Sequence, residues 1–202
     1  MVRTPSKSAA SLGLLLLLSA VAWSAASDAK RPATRPADQP VKDVEGRLCH
    51  PLSTGGAKAA VVFFLSHDCP ISNGYSPEIN RICKEFGGDG KVVFHIVHPY
   101  EKLSADEARK HAKEFAYTVP VIVDADKQLT RSLRATTTPQ VFVLTPDGEV
   151  AYSGRIDNLW SGFGKRRTEP TVRDLRDSLS AILAGKPVPN RSTDSIGCPI
   201  EP

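Results

Sequence analysis

The sequence predicts one α/β layer domain, a central mixed sheet with helices on both faces. Three observations point there. The run "AAVVFFLS" (59–66) is apolar throughout and of strand length, as a strand buried on both faces requires. Strand-like and helix-like patterns then alternate along the chain, the order expected of layered α/β architecture. Finally, "PQVFVLTPDGEVAYSGRID" reads as a β-hairpin turning at Asp147-Gly148, which brings antiparallel pairs into the sheet.

Taken in order, "VKDVEGRLCHPL" (41–52) reads as a short hairpin with Gly46 at the turn. After the 59–66 strand the pattern turns helical from Pro77 to Phe86. Ile79, Ile82, Cys83 and Phe86 fall at i, i+3, i+4 and i+7, one face of a helix that "FGGDG" ends. "KVVFHIV" (91–97) is the next strand. "SADEARKHAKEFAY" (104–117) is a helix opened by a capping box, Ser104 with Glu107. "VPVIVD" is a strand and "KQLTRSLR" a short helix. After the hairpin, "TVRDLRDSLSAILAG" (171–185) is an amphipathic helix with Gly185 placed to cap its C-terminus. The domain is thus expected over 41–185, with a polar tail over 186–202. No internal repeat is seen.

The chain has 202 residues, 41% of them apolar and 6% aromatic, enough for one ordinary core. Residues 1–26 have a basic start (Arg3, Lys7), an apolar run at Leu14–Leu18 and small residues around Ala22–Ala26. That is the pattern of a secretory signal peptide. The run is short for a membrane span, and an uncleaved anchor is the alternative. The expected location is therefore exported, periplasmic or otherwise extracytoplasmic, with contact to a membrane only through the export signal. Residues 27–40 include the Pro-rich, basic "KRPATRPADQP" and read as a flexible linker. The net charge of +4 falls to about +2 once Arg3 and Lys7 leave, which gives no electrostatic footprint for nucleic acid. No phosphate-cradling glycine motif is present, so no organic cofactor is implied.

Chemistry centres on Cys69, in "SHDCPISNGYSPEINRI". It follows the buried strand and precedes a helix. A helix N-terminus offers unpaired N–H groups and partial positive charge, both favourable to a thiolate, the reactive form of cysteine. Ser66 is placed to donate a hydrogen bond to sulfur or to a bound oxygen, and His67 would help if charged. Asp68 opposes, since a nearby carboxylate disfavours a second negative charge. The competing reading is an inert cysteine buried at a strand end. A second feature favours the reactive thiol: Thr138-Pro139 directly precedes an apolar strand, where a proline can be cis and its neighbours exposed at the sheet edge.

A cysteine at a strand-to-helix junction, followed by Thr-Pro before a hairpin and a terminal helix, resembles the thioredoxin fold over roughly residues 40–185. "SHDCPISNGYSPEINRI" and "TTTPQVFVLTPDGEVAYSGRIDN" resemble the redoxin group, the alkyl hydroperoxide reductase/thiol-specific antioxidant branch, and its exported peroxiredoxin-like members akin to TlpA-type thiol–disulfide proteins. The resemblance implies that Cys69 is the attacking cysteine and Pro139 the cis-proline beside it. The expected reactant is a peroxide or a disulfide, and a partner thiol protein would supply reducing equivalents. The sequence also departs from the group. In the peroxiredoxin pattern P-x-x-x-[ST]-x-x-C, Ser66 and Cys69 match but Val62 replaces the proline. The arginine those proteins carry near the strand that here begins at Thr138-Pro139 is missing, and Arg155 is the arginine that could reach instead. Ser72 stands where a C-x-x-C motif has its second cysteine.

A lone attacking cysteine needs another thiol to resolve the mixed disulfide. Cys83 lies on the apolar stripe of its helix and reads as core. Cys49, in a short strand, reads as structural. Cys198 lies on a Pro- and Gly-bearing tail with no core to join, and the similar proteins also end in a Gly-Cys. Two readings stand side by side: Cys198 resolves Cys69, or Cys198 forms a static staple with Cys49. Among the histidines, His67, His95, His98 and His111 suggest copper, as in thioredoxin-like copper chaperones, but Asn73 holds the place of the second cysteine there. His95 reads as a satisfied core residue and His111 as a surface one, so no metal is expected. Arg155 and Asp157 read as a local ion pair, and "GKRRTEP" as a solvated loop. The expected function is an exported thiol-dependent oxidoreductase. The alternative is a thioredoxin-fold binding module without turnover, binding a partner or copper.

Overall fold

The computed structural model describes residues 1–2 and 38–201. The chain divides into a unit of residues 1–32 and a unit of residues 33–202, and the second carries the sheet and its helices. The expected signal peptide, beyond its first two residues, and most of the expected linker lie outside the described residues.

The second unit opens with the expected hairpin, β1 (Val41–Lys42) and β2 (Leu48–Cys49), closed by Gly46 at φ 80° and by the Asp43 carboxylate, which accepts the backbone N–H groups of Glu45 and Arg47. Next come β3 (Ala59–Phe64), α1 (Pro70–Gly74), α2 (Ser76–Gly87), β4 (Val92–His98), α3 (Ala105–Glu114), β5 (Val121–Val123) and α4 (Gln128–Leu133). They are followed by β6 (Thr137–Thr138), β7 (Gln140–Leu144), β8 (Val150–Gly154), β9 (Trp160–Gly162), β10 (Lys165–Arg166), α5 (Asp174–Leu183) and β11 (Cys198–Pro199). The helix expected from Pro77 to Phe86 is α2, and a separate short helix, α1, precedes it; the two meet at Tyr75, whose N–H bonds the Ser72 carbonyl. The Ser104 capping box on α3 forms as expected.

Five strands make the central sheet in the order β5-β4-β3-β7-β8. The β3–β4 and β4–β5 pairs are parallel; β3–β7 and β7–β8 are antiparallel. This is a mixed sheet, and it has the thioredoxin-like arrangement. Strand β3 lies at its centre and is wholly buried, which explains its lack of polar alternation. Its alternate residues serve two cores. Ala59, Val61 and Phe63 pack with Ile79 and Ile82 of α2 and with Leu175 and Leu179 of α5. Ala60, Val62 and Phe64 pack with Leu129 and Leu133 of α4 on the other face. Each fully buried side chain of this size is worth about 1.5–3 kcal/mol, so the two faces fix the register of β3 strongly.

The tail departs from expectation. It has a core to join, for Val188, Ile196 and Cys198 pack on the α2/α5 side and Ile200 on the other. Thr193 N–H bonds the Ser153 carbonyl, and Thr193 packs directly over Gly154, where a Cβ would lie 2.2 Å from Thr193 Oγ1. The tail ends as β11, paired antiparallel with β6. The basic stretch expected as a solvated loop is exposed, but its first residues supply β10, which pairs with β9.

Candidate active site

The site lies at the C-terminal end of β3, where parallel strands leave their following loops free to carry function. Cys69 caps the N-terminus of α1 and is 1% exposed. That helix has only five residues, so the macrodipole offered as support for a thiolate is small. Direct donors take its place. The Cys198 thiol lies 2.8 Å from Cys69 Sγ and donates to it. The backbone N–H and hydroxyl of Ser72 and the backbone N–H of Cys198 also stabilise the sulfur. Burial raises the Cys69 pKa, but these hydrogen bonds outweigh it and leave the thiol more acidic than usual. Cys198 moves the other way, pushed up to about 11 by burial, by the hydrogen bond it donates and by the negative charge on Cys69 and Asp68. Of the two thiols, Cys69 is the more acidic and Cys198 the one that holds its proton more tightly.

Ser72 was legible only as an absent cysteine, yet it does two jobs. Its hydroxyl accepts the Ser66 N–H at 3.3 Å and is oriented toward Cys69. Ser66 itself is buried beside the site, but its hydroxyl is engaged with the Asp68 carboxylate rather than with sulfur. That hydrogen bond, set against burial, holds Asp68 below the usual carboxylate range.

Thr138-Pro139 is a cis peptide, and it sits against the cysteine. Cys69 Sγ lies 3.5 Å from the Thr138 carbonyl, to which its thiol form can donate. Thr138 Oγ1 donates to the Cys198 carbonyl at 3.4 Å and lies 3.5 Å from the Tyr100 hydroxyl. Tyr100 was missed by sequence reasoning. The available signal was its position in the loop just after β4, next to the expected site.

The remaining cysteines are apart from this pair. Cys83 is buried, its thiol pushed up to about 12 by burial. Cys49 is buried in the α4-side core, and its thiol is also raised by burial. The structure thus brings Cys198 to Cys69 and not to Cys49.

Three histidines gather behind the cysteine loop. His98 packs 5.1 Å from His111 between ring centroids, and His67 stands 6.5 and 6.4 Å from them. His111 is buried rather than on the surface, because Ala108, His111 and Phe115 turn one stripe of α3 inward. Its Nε2 lies 2.9 Å from Asn73 Oδ1, and the Asn73 amide donates to the His67 carbonyl. Burial pushes His98 down to about 3 and His95 down to about 4, so both are neutral near pH 7. His95 is core, as expected, but its Nδ1 has no partner among the described residues. No group of three His, Cys, Asp or Glu side chains among the described residues is arranged to hold a metal ion.

Arg155 pairs with Asp174 and not with Asp157. It donates from Nε to Asp174 Oδ2 at 2.7 Å, because α5 places that carboxylate closer. Asp157 instead accepts the Tyr75 hydroxyl at 2.8 Å and the Leu159 N–H.

Residues 37–153 match the AhpC/TSA family, and the chain belongs to that family. A hypothetical protein from Sinorhizobium meliloti 1021 superposes with TM-score 0.72 at 26% identity, over 83% of this chain and 92% of that one. An uncharacterized conserved protein from Geobacillus kaustophilus gives TM-score 0.69 at 23% identity, over 83% and 89%. A secreted disulfide oxidoreductase of Mycobacterium tuberculosis, homologous to E. coli DsbE, shares the fold with TM-score 0.51 at 16% identity, over 73% and 96%. No curated protein matches the chain.

Proposed function

We propose that the protein is an exported thiol oxidoreductase whose working pair is Cys69 and Cys198. The observation that carries this is the pair's geometry and charge: two sulfurs 2.8 Å apart, one made more acidic and the other less. Membership of the AhpC/TSA family supports thiol chemistry, and the pattern of residues 1–26 supports export.

Thiol–disulfide exchange is the reaction the site suits best. The Cys69 thiolate attacks one sulfur of a substrate disulfide, the substrate S–S bond breaks, and the other substrate sulfur leaves as a thiolate. Cys198, once deprotonated, attacks Cys69, breaks the mixed disulfide and releases the second substrate thiol. The substrate gains two electrons, and Cys69 and Cys198 become a disulfide that a partner dithiol must reduce. A peroxide would use the same pair. Attack on one oxygen gives a sulfenic acid and releases water or alcohol, and Cys198 then displaces water from sulfur. Exchange is favoured because Arg155, the arginine available to polarise a peroxide, is held by Asp174.

The test is differential alkylation with peptide mass mapping, before and after a stoichiometric dose of oxidised glutathione or hydrogen peroxide. The expected product is a Cys69–Cys198 linked peptide, with Cys49 and Cys83 unchanged. A Cys69 that stays reduced with both oxidants sinks the proposal.

A further inference from the structure

The tail does more than deliver a thiol. It occupies a strand edge. Among the described residues, β6 is paired only by β11, with Cys198 opposite Thr138 and Pro199 opposite Thr137. Ile200 N–H extends the contact to the Thr136 carbonyl at 2.9 Å, and Lys127 Nζ reaches the Glu201 carbonyl at 2.7 Å. In this register, whichever residue faces Thr138 is delivered to Cys69. With the tail in place Cys69 is 1% exposed, so a macromolecule cannot touch its sulfur until β11 leaves.

The register also imposes a residue requirement. A Cβ on Gly197 would lie 2.0 Å from the Thr138 carbonyl oxygen, 2.6 Å from its carbon and 2.9 Å from Pro139 Cδ. Those are backbone and ring atoms, which cannot swing aside as the end of a flexible side chain can. A segment seated here therefore needs glycine directly before its cysteine.

Resting on the thiol-exchange reading, we propose that the tail is a tethered competitor for a partner-docking edge. The partner is a protein that presents its reactive cysteine on an extended Gly-Cys segment. It displaces β11, pairs with Thr137–Thr138 in the same register, and exchanges disulfides with Cys69. When the tail returns, Cys198 resolves the mixed disulfide and the edge closes. The partner disulfide is the oxidant: it takes up two electrons and leaves as two thiols, while Cys69 and Cys198 are oxidised to a disulfide.

The probes are three hexapeptides, Ser-Ile-X-Cys-Pro-Ile with X as glycine, alanine or leucine, each cysteine capped as a mixed disulfide with thionitrobenzoate. They are offered to the full chain carrying Cys198→Ser, which cannot resolve the adduct. Thionitrobenzoate release is followed at 412 nm and the adduct is identified by mass. The glycine peptide is expected to react about ten-fold or more faster than the other two. In parallel, Gly197→Ala should loosen the tail. Hydrogen exchange of the Ile200 amide, which bonds the Thr136 carbonyl, should become about ten-fold or more faster, with the circular dichroism spectrum unchanged. Equal rates for the three peptides, or a Gly197→Ala variant whose Ile200 amide exchanges no faster than the parent's, overturn the proposal. The small disulfide 5,5′-dithiobis(2-nitrobenzoate) separates the two failures. If Cys69 reacts with it but does not discriminate the peptides, only the docking proposal fails. If Cys69 does not react with it, the oxidoreductase reading fails as well.

Discussion

Removing one hydrogen bond should make Cys69 measurably less acidic. Cys198 donates to Cys69 Sγ at 2.8 Å, and this is the strongest side-chain contribution opposing burial at that sulfur. A hydrogen bond to a charged group is worth about 1.5–3 kcal/mol, and one pKa unit corresponds to about 1.4 kcal/mol. Cys198→Ala should therefore raise the Cys69 ionisation midpoint by about one to two units. Cys198→Ser retains an O–H donor and should leave the midpoint near that of the parent. Thiolate absorbance at 240 nm in the reduced protein reads this directly, without a reagent having to enter the buried site. The step is separable, because Cys83 is pushed to about 12, Cys198 to about 11, and Cys49 is also raised. In the parent, one cysteine should ionise below the usual thiol range. If the low step is present and Cys198→Ala does not move it, the tail thiol is not what stabilises the thiolate. If alanine and serine shift it equally, the effect is packing rather than hydrogen bonding.

Two further outcomes rest on buried groups. His95 is held neutral by burial, down to about 4 from an ordinary 6.5, so the unfolded chain binds a proton there that the folded chain does not. Stability is then full above pH 6.5 and is lost as pH falls towards 4, at up to about 1.4 kcal/mol per pH unit; urea midpoints between pH 6.5 and 5 should flatten by that amount in His95→Leu, and an unchanged slope would count against the assignment. Oxidation of the Cys69–Cys198 pair, 129 positions apart, closes a loop that in the chain-entropy account is worth about 4–5 kcal/mol, so the oxidised protein should resist urea far better than the reduced one, and equal midpoints would contradict that the two sulfurs join in the native fold.

What the sequence made legible depended on whether a residue's role was periodic or positional. The sheet, its helices and both cores follow from apolar patterns, and β3 was readable because a strand buried on both faces has no polar positions. The placement of Cys69 at a strand-to-helix junction and of a cis Pro139 before a strand was readable, because both are local signals at strand ends. The reason for the lowered Cys69 pKa was not, since it depends on donors that approach from separate segments of the chain. Ser72 reads as a missing cysteine until its hydroxyl is seen bridging Ser66 N–H and the sulfur. His111 reads as a surface residue by its charge-rich neighbours, yet Ala108, His111 and Phe115 are spaced for one face, which turns inward. The docked tail has no period at all.

Its trace in the sequence is instead a pair of glycines, each with a defined obstruction. Gly154 clears Thr193 and Gly197 clears Thr138, and either side chain would push the tail off the sheet. The same pairing explains how a chain with Cys69-Pro70-Ile71-Ser72 can have two sulfurs in its site. A C-x-x-C motif places its second thiol by one turn of helix, so that thiol cannot leave. Here the helix contributes only the Ser72 donors, and the second thiol arrives on a strand held by two-residue pairing and a few side chains. A strand of that length is marginal on its own. In the proposed exchange, separating the donor from the resolving thiol in this way would keep Cys69 supplied with Ser72 hydrogen bonds while Cys198 leaves and returns.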